Sequence, residues 1–209
     1  MSAKILEKSR VLFWVVYITM ILTAFILPFF SDPEYVISKN TLSELGAQNT
    51  PNNWIMNFVF ILLALVTFIN GYKVLGEHRI QIFVLLIFCI SFLLTGIFMH
   101  APINRRVIYD SFQNEMHSVF STITGISFCT YCLVVSFITR WKHQKLIALS
   151  VGVIALLLSY FMFIHSDYRG LYQRGIFIMA FGWILYSFKF YEYVFTKKEY
   201  FQLINRNQK

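Results

Sequence analysis

The stretch Asn114–Gly125, which reads NEMHSVFSTITG, decides how the chain is arranged, because it opens a long apolar segment with polar groups. Five of its residues follow the i, i+3, i+4, i+7 spacing of one helical face: Asn114, His117, Ser118, Ser121 and Gly125. An unpaired polar group that faces lipid costs several kcal/mol. This face must therefore look toward other helices or toward water, and we expect the functional site there.

The composition around this stretch is that of a membrane protein. Of the 209 residues, 57% are hydrophobic and only 13% are charged, whereas a soluble domain has about 25% charged residues. The net charge of +8 comes from basic residues that lie in short groups between apolar runs. This pattern is typical of loops retained on the cytoplasmic side, not of a nucleic-acid-binding surface. We expect membrane lipids as partners and no nucleic acid; protein partners remain open.

Six apolar segments predict an all-α, polytopic membrane protein with six transmembrane helices. They lie at about 11–30, 54–75, 80–98, 115–138, 146–164 and 175–195. The first has 20 residues, which spans a hydrocarbon core of about 30 Å at about 1.5 Å per residue. That length exceeds the core of a signal peptide, so we expect a retained helix. No repeat or linker divides the chain, and residues 1–209 form one predicted domain.

The distribution of Lys and Arg predicts the orientation. The N-terminus, the 72–79 and 139–145 turns and the tail from Lys189 hold 13 of the 18, against five in the other three loops. Both termini should therefore be cytoplasmic. The opposite side then receives six of the ten acidic residues and three of the five histidines. Titratable chemistry is predicted to concentrate on the extracytoplasmic face.

The first loop carries signals for helix starts. Thr41-Leu-Ser-Glu44 matches a capping box, and Gly46 can end the helix that follows. We expect a short surface helix there. Thr50-Pro51 resembles an N-cap followed by proline at the first helical position, which would start the second span at Pro51 or Trp54.

Candidate catalytic residues fall on the same predicted side. His117 lies about one turn inside the fourth span with Ser121 at i+4, and it is either a general acid or base or a bridge between helices. Glu44 either serves the capping box alone or acts as an acid, a base or a metal ligand. Ser43, Ser118 and Ser121 are candidate nucleophiles with His117 as base, or hydrogen-bonding contacts between helices.

The sequence also allows a site for a divalent metal, and it identifies no cofactor. Imidazole and carboxylate donors suited to zinc lie on one side of the membrane: His100, Asp110, His117, His165 and Asp167. No H-x-x-x-H or H-E-x-x-H spacing occurs in the sequence. Only folding could bring these ligands together.

The three cysteines, Cys89, Cys129 and Cys132, all lie in apolar segments. Their odd number implies no disulfide framework. Cys129 and Cys132 form a C-x-x-C, but hydrocarbon disfavours the thiolate that redox or zinc chemistry needs. We interpret all three as small packing residues.

Two arginines flank the predicted entry to the sixth span. Either could pair with Asp167 or with the phosphate of an outer-leaflet lipid headgroup, and the alternative for Arg169 is to snorkel to the interface. Arg174 should point into the bundle toward Glu44, Glu115 or His117, where its guanidinium could bind an anionic headgroup.

Several short motifs occur together along the chain. They are Ser43-Glu-Leu-Gly46 with Asn57-Phe58, Gly96-Ile-Phe98, His117, Gly170-Leu171, Arg174 and Trp183. Together they resemble the bacterial and archaeal six-span family called domain of unknown function 998, over nearly the whole chain. A looser similarity, in the first loop only, is to the eukaryotic Frag1/DRAM/Sfk1 membrane proteins, some of which are linked to lipid handling.

The resemblance implies a compact six-helix bundle in the plasma (inner) membrane of a prokaryote. It places Glu44, Asn57, His117 and Arg174 in a shared extracytoplasmic pocket, but it transfers no activity. The sequence has Met99-His100-Ala101 where the family pattern G-x-F-P-x-D is expected at the end of the third span. A metal or carboxylate dyad would therefore need Asp110 as a substitute.

Three functions are compatible with these features. The leading hypothesis is an outward-facing pocket that binds an amphiphile or a lipid headgroup, with hydrolase or transferase chemistry on lipids as a further step. In it His117 is the acid or base, Glu44 orients it, and Arg174, Asn57, Asn114, Ser118 and Ser43 contact the ligand. The alternatives are a small transporter or proton-coupled carrier, and a non-catalytic partner subunit.

Overall fold

The structure is a computed structural model that describes the backbone of residues 3–76, 78–104 and 106–207, and the side chains of 7–76, 78–104 and 106–192. In this part of the chain all regular elements are helices, which confirms the all-α class. The helices are α1 (Ala3–Ile26), α2 (Leu42–Leu45), α3 (Asn53–Val74), α4 (Arg79–Ile97), α5 (Ser111–Ile138), α6 (Lys142–Ile164) and α7 (Arg169–Asn207), with 3-10 turns at Leu27–Phe30 and Ser166–Tyr168.

Five helical stretches in the described residues are long and apolar enough to cross a bilayer. They are Glu7–Phe30, Asn53–Val74, Arg79–Ile97, Ser111–Ile138 and Lys142–Ile164, and they correspond to the first five predicted spans. The predicted sixth span lies within α7, which is continuous from Arg169 to Asn207. Its last residues, 193–195, and the basic tail lie outside the described side chains.

Several predicted helix starts are wrong by a few residues. The fourth span begins at Ser111, because the Asp110 carboxylate accepts hydrogen bonds from the backbone N–H groups of Phe112 and Gln113 at 2.9 and 3.3 Å and so caps it. The second begins at Asn53. Its N-cap is Asn52 in the left-handed conformation, with φ of 59°, and not Thr50.

The helices pack so that α4 contacts α3 and α5, α6 lies between α5 and α7, and α1 contacts α3 and α7. Aromatic rings fill the centre. Phe92 packs against Phe177 and Phe181 with ring centroids 5.6 and 5.4 Å apart, and such pairs add to plain area burial. Among the cysteines, Cys132 packs against Gly152 of α6, in keeping with a packing role.

The loop between α1 and α3, residues 31–52, closes one end of the bundle, and we call it the cap. The capping box of Thr41 and Glu44 is confirmed, and Gly46 ends α2. The expectation of a surface helix is wrong, since all four residues of α2 are buried. Residues 40–48 of the cap are thus part of the interior, whereas Glu34 and Lys39 are exposed. The buried part of the cap backbone must find partners within the protein.

The start of α7 approaches the cap backbone closely. The backbone N–H of Gly170 donates to the carbonyl of Ser38 at 2.8 Å. A Cβ atom on Gly170 would lie closer than 3.0 Å to the carbonyl oxygens of Ile37, Ser38 and Asn40. Only glycine fits this contact, because backbone atoms held in a buried loop cannot move aside.

Replacing Gly170 with alanine should therefore destabilise the protein by about 1–3 kcal/mol or more, as overpacking does. Thermal unfolding of the detergent-purified protein measures the loss. Gly175→Ala on the same helix is the matched control, because its Cβ would meet only Leu158 at an ordinary 3.7 Å. Equal melting temperatures for the two variants would contradict the close approach.

Candidate functional site

The cap is joined to α7 by an ion pair. One oxygen of the Glu44 carboxylate accepts from the backbone N–H and the hydroxyl of Thr41, at 2.6 and 3.0 Å. The other oxygen lies 2.6 Å from a guanidinium nitrogen of Arg169. Glu44 is only 5% exposed, while the Arg169 side chain is 41% exposed. Both oxygens of the buried carboxylate therefore have hydrogen-bond partners within the protein.

Arg174 lies one turn further along α7 and is 2% exposed. Its guanidinium makes five hydrogen bonds, four to backbone carbonyls and one of 2.7 Å to the Tyr35 hydroxyl. The carbonyls are those of Ala24, Ile37, Asn40 and Gly170. Arg174 thus satisfies backbone acceptors of the cap and of the end of α1.

Tyr35 completes this arrangement. Burial raises the pKa of Tyr35 to about 12 despite the nearby Arg174 guanidinium. Its hydroxyl stays protonated, accepts from Arg174, and donates toward the carbonyls of Asn40 and Thr41 at 2.9 Å each. A phenol was not among the predicted site residues, and its position in an ordinary polar loop gave no signal.

Arg174 points into the bundle as predicted, but it bonds carbonyls and Tyr35 and not Glu44, Glu115 or His117. The partner of Glu44 is Arg169. The physical reason is that Arg174 meets carbonyls before it can reach a carboxylate. His117 is held elsewhere. Its Nδ1 lies 2.8 Å from the carbonyl oxygen of Phe98 at the end of α4, and its ring contacts that of His100 edge to face at 5.3 Å.

Other predicted ligand-binding residues also bond the backbone. Asn57 donates to the carbonyl of Gly46 at 2.9 Å. The Asn114 side-chain oxygen accepts from the backbone N–H of Ala101 at 2.8 Å. Ser118 is exposed and donates to the carbonyl of Asn114 within its own helix. Glu44, Asn57, His117 and Arg174 each hydrogen-bond to the cap or to a helix end, and a shared pocket for the four stays a prediction.

Sequence reasoning missed one set of hydrogen bonds, which joins Gln48 of the cap to the start of α5. Gln48 accepts from the backbone N–H of Asp110 at 2.8 Å and donates back to the Asp110 carbonyl at 2.9 Å. The backbone N–H of Gln48 also donates to the carbonyl of His100 at 2.9 Å. A glutamine in a polar loop belongs to no sequence pattern that would predict this pair of hydrogen bonds.

The candidate metal ligands do not converge in the described part of the chain, where no group of three His, Cys, Asp or Glu side chains could hold an ion. Asp110 caps α5. Asp167 pairs with Lys39 at 3.0 Å on the surface. His165 lies against the ring of Phe161. The donor set fits helix ends and surface contacts and not a metal centre.

A partly enclosed cavity of about 440 Å³ lies between α4, α5, α6 and α7, beneath the cap. Its lining includes Ser43, Phe88, Phe92, Thr95, Ser121, Thr122, Thr124, Gly125, Ile126, Phe128, Cys129, Ala155, Leu156, Ser159, Met162, Phe163, Gln173, Ile176, Phe177, Ala180 and Phe181. Of the predicted face of α5, Ser121 and Gly125 line this cavity, and so does Ser43 of the cap. Glu44, His117 and Arg174 do not.

The lining is mostly apolar, with polar groups placed among the apolar ones. Ser43 and Gln173 lie at the cap end together with Met162 and Phe163 of α6, whereas Phe88, Phe128 and Phe181 lie deeper along their helices. From Ser121 to Cys129 the lining runs along α5 over about 12 Å, at about 1.5 Å for each step between residues. The lining residues classed as exposed are all on α5 and α6: Thr122, Gly125, Ile126, Leu156 and Phe163. The mouth therefore lies between these two helices, on the bilayer-facing surface.

Comparison with known proteins agrees with the resemblance seen in the sequence. The family described as protein of unknown function (DUF998) matches residues 12–187, and the chain belongs to this family. No curated protein and no solved structure matches the chain. The looser similarity to the Frag1/DRAM/Sfk1 proteins stays a prediction.

A double-mutant cycle tests the ion pair of the cap. Arg169→Gln leaves the buried Glu44 carboxylate without its partner, so it should cost about 1–3 kcal/mol of stability, less than a fully buried pair because Arg169 is partly exposed. Adding Glu44→Gln removes the unpaired charge and should recover part of the loss. Chemical denaturation in detergent measures the stability of the two single variants and of the double variant. If the two single losses simply add in the double variant, the pairing is contradicted.

His117→Ala should lower stability by about 1–3 kcal/mol, because the Phe98 carbonyl loses its donor and the ring leaves a hole. Ser118→Ala is the matched control, since its hydroxyl is exposed and bonds only its own helix. Thermal unfolding compares the two variants. A His117→Ala protein as stable as the Ser118→Ala protein would instead favour a purely functional histidine.

Proposed function

We propose that this protein is a six-span protein of a prokaryotic plasma membrane and that its cavity binds a lipid-like amphiphile. Both termini are cytoplasmic in this proposal, and the cap is extracytoplasmic. The excess of Lys and Arg at the termini and in the 72–79 and 139–145 turns supports the orientation.

The packing of α7 supports a sixth crossing. α7 contacts α6, α1 and α3, which are themselves candidate spans. Side chains of its middle, such as Ala180, Phe181 and Ile184, are buried in the common core. A helix enclosed by membrane-spanning neighbours lies in the same bilayer.

The observation that carries the binding proposal is a mostly apolar cavity that has the polar side chains of Ser43 and Gln173 at its cap end. Ligand pockets of about 300–1,000 Å³ with mostly apolar walls and a few placed polar groups are the usual form of small-molecule sites. Hydroxyl and amide groups near the cap match a headgroup, and the phenylalanines below match a hydrocarbon chain. The mouth between α5 and α6 allows entry from the bilayer.

Binding is better supported than a lipid-modifying hydrolase or transferase activity. A serine nucleophile needs a base within hydrogen-bond reach. Ser121 lines the cavity, but its hydroxyl donates to the carbonyl of Ser118 at 3.0 Å. The ring of His117 is bonded to the Phe98 carbonyl, and Glu44 is paired with Arg169. Catalysis by these residues would require each of these contacts to change.

Photocrosslinking tests the proposal. A photoactivatable hexadecanol, offered to the protein in liposomes, should label peptides of α5, α6 and α7 that line the cavity. Gly125→Phe should abolish this labelling, because a Cβ at Gly125 meets nothing within 4 Å and the ring would project into the open space.

Val119→Phe is the matched control. It places the same ring on the same helix at a position that is 48% exposed and outside the cavity, so labelling should persist. Labelling of cavity peptides that Gly125→Phe leaves unchanged would overturn the proposal, as would labelling spread evenly over the lipid-facing helices.

A further inference from the structure

Three hydrogen-bond donors of the cavity make no hydrogen bond to any described residue through the donating group. They are the hydroxyls of Ser43 and Ser159 and the side-chain nitrogen of Gln173. None of the three donor atoms is among the fully buried polar atoms that lack a partner in the described residues, and all three residues line the cavity. Donors that face a cavity are free to bind a molecule that enters it.

The orientation of Gln173 is fixed by the cap. Its side-chain oxygen accepts from the backbone N–H of Leu42 at 2.6 Å. The amide nitrogen on the other side of the same planar group is left to donate. Because Gln173 lines the cavity together with Ser43 of the neighbouring cap helix, the two residues present donors at the same polar end.

Charge is absent from this end. The cavity lining contains no Asp, Glu, His, Lys or Arg among the described residues. The nearby ionic groups are already engaged: Arg169 with Glu44, and Arg174 with cap carbonyls and Tyr35. An anionic headgroup would enter without a counter-charge, and a charge buried in that way is far more costly than a hydrogen-bonded neutral group.

We propose that the ligand is a single-chain amphiphile with an uncharged, oxygen-bearing headgroup, such as an alcohol or an ester, whose oxygen accepts hydrogen bonds from Ser43, Ser159 and Gln173. This inference rests on the proposed function and names the ligand class of that site. It replaces the anionic headgroup expected from the sequence, because the guanidinium assigned to that headgroup is used within the fold.

The size of the cavity fits one chain. Its 440 Å³ equals the volume of roughly 15 water molecules at about 30 Å³ each, which is the scale of one hydrocarbon chain with a small headgroup. The mouth between α5 and α6 opens on the bilayer side, so the chain can enter from the membrane while the headgroup moves up toward the cap.

Two probes with the same chain separate the headgroup question from the binding question. Photoactivatable hexadecanol and photoactivatable hexadecyl phosphate are titrated against the protein in neutral liposomes at neutral pH, where the phosphate is charged. The alcohol should label the cavity at least tenfold more strongly at equal concentration, and Gly125→Phe should abolish its labelling.

Equal or stronger labelling of cavity peptides by the phosphate would overturn the neutral-headgroup inference while leaving the binding proposal standing. Failure of both probes to label the cavity, or labelling insensitive to Gly125→Phe, would overturn the binding proposal itself. The two failures are thus distinguishable.

Serine variants test the donors. Ser43→Ala and Ser159→Ala should each weaken labelling by hexadecanol roughly fivefold, the loss of one ordinary hydrogen bond, and should leave the melting temperature of the ligand-free protein unchanged or slightly higher. Ser118→Ala is the control, because its hydroxyl lies outside the cavity. Ser43→Ala and Ser159→Ala proteins that melt lower and bind normally would show the hydroxyls to be structural, against the inference.

Discussion

The structure depends on a single constraint: residues 40–48 of the cap are buried at one end of an apolar bundle, so their backbone groups must be paired within the protein. Irregular backbone at membrane depth is tolerated only where protein or a cavity encloses it. Arg174 meets this constraint by donating to carbonyls of the cap and of α1. The guanidinium suits the task because it carries several donors in one rigid plane and always keeps its charge.

The cavity is lined by uncharged residues because the charged side chains near it are bound within the fold. Glu44, Arg169 and Arg174 looked like a catalytic or anion-binding set when only their types and predicted side of the membrane were known. In the folded chain Glu44 pairs with Arg169, and Arg174 binds backbone carbonyls and Tyr35. The cavity next to them is left with hydroxyls, one carboxamide and mostly apolar side chains. The neutral ligand proposed for this cavity is therefore compatible with charged groups nearby, because those groups already have partners.

The limits of sequence reasoning have the same origin. Span lengths and the capping box were predictable, because apolar run length and the spacing of Thr41 and Glu44 act locally along the chain. The partners of Arg174 were not predictable, because every residue has a carbonyl acceptor and the sequence does not show which carbonyls are used. The cavity donors were equally hidden: Ser43, Ser159 and Gln173 come from three separate elements, and only Ser43 lay in a recognisable motif.

The motifs of the family resemblance gain a physical meaning as pairs. Gly46 and Asn57 belong together, because a Cβ on Gly46 would lie closer than 3.0 Å to the Asn57 side chain, which donates to the Gly46 carbonyl. Gly170 and Arg174 form a second pair. The carbonyls of Ile37 and Asn40 that a Cβ on Gly170 would strike are the ones that accept from Arg174. Each glycine leaves the space in which a polar side chain binds the cap backbone. The motifs therefore specify the closed end of the bundle, and the ligand site is proposed in the cavity beneath it.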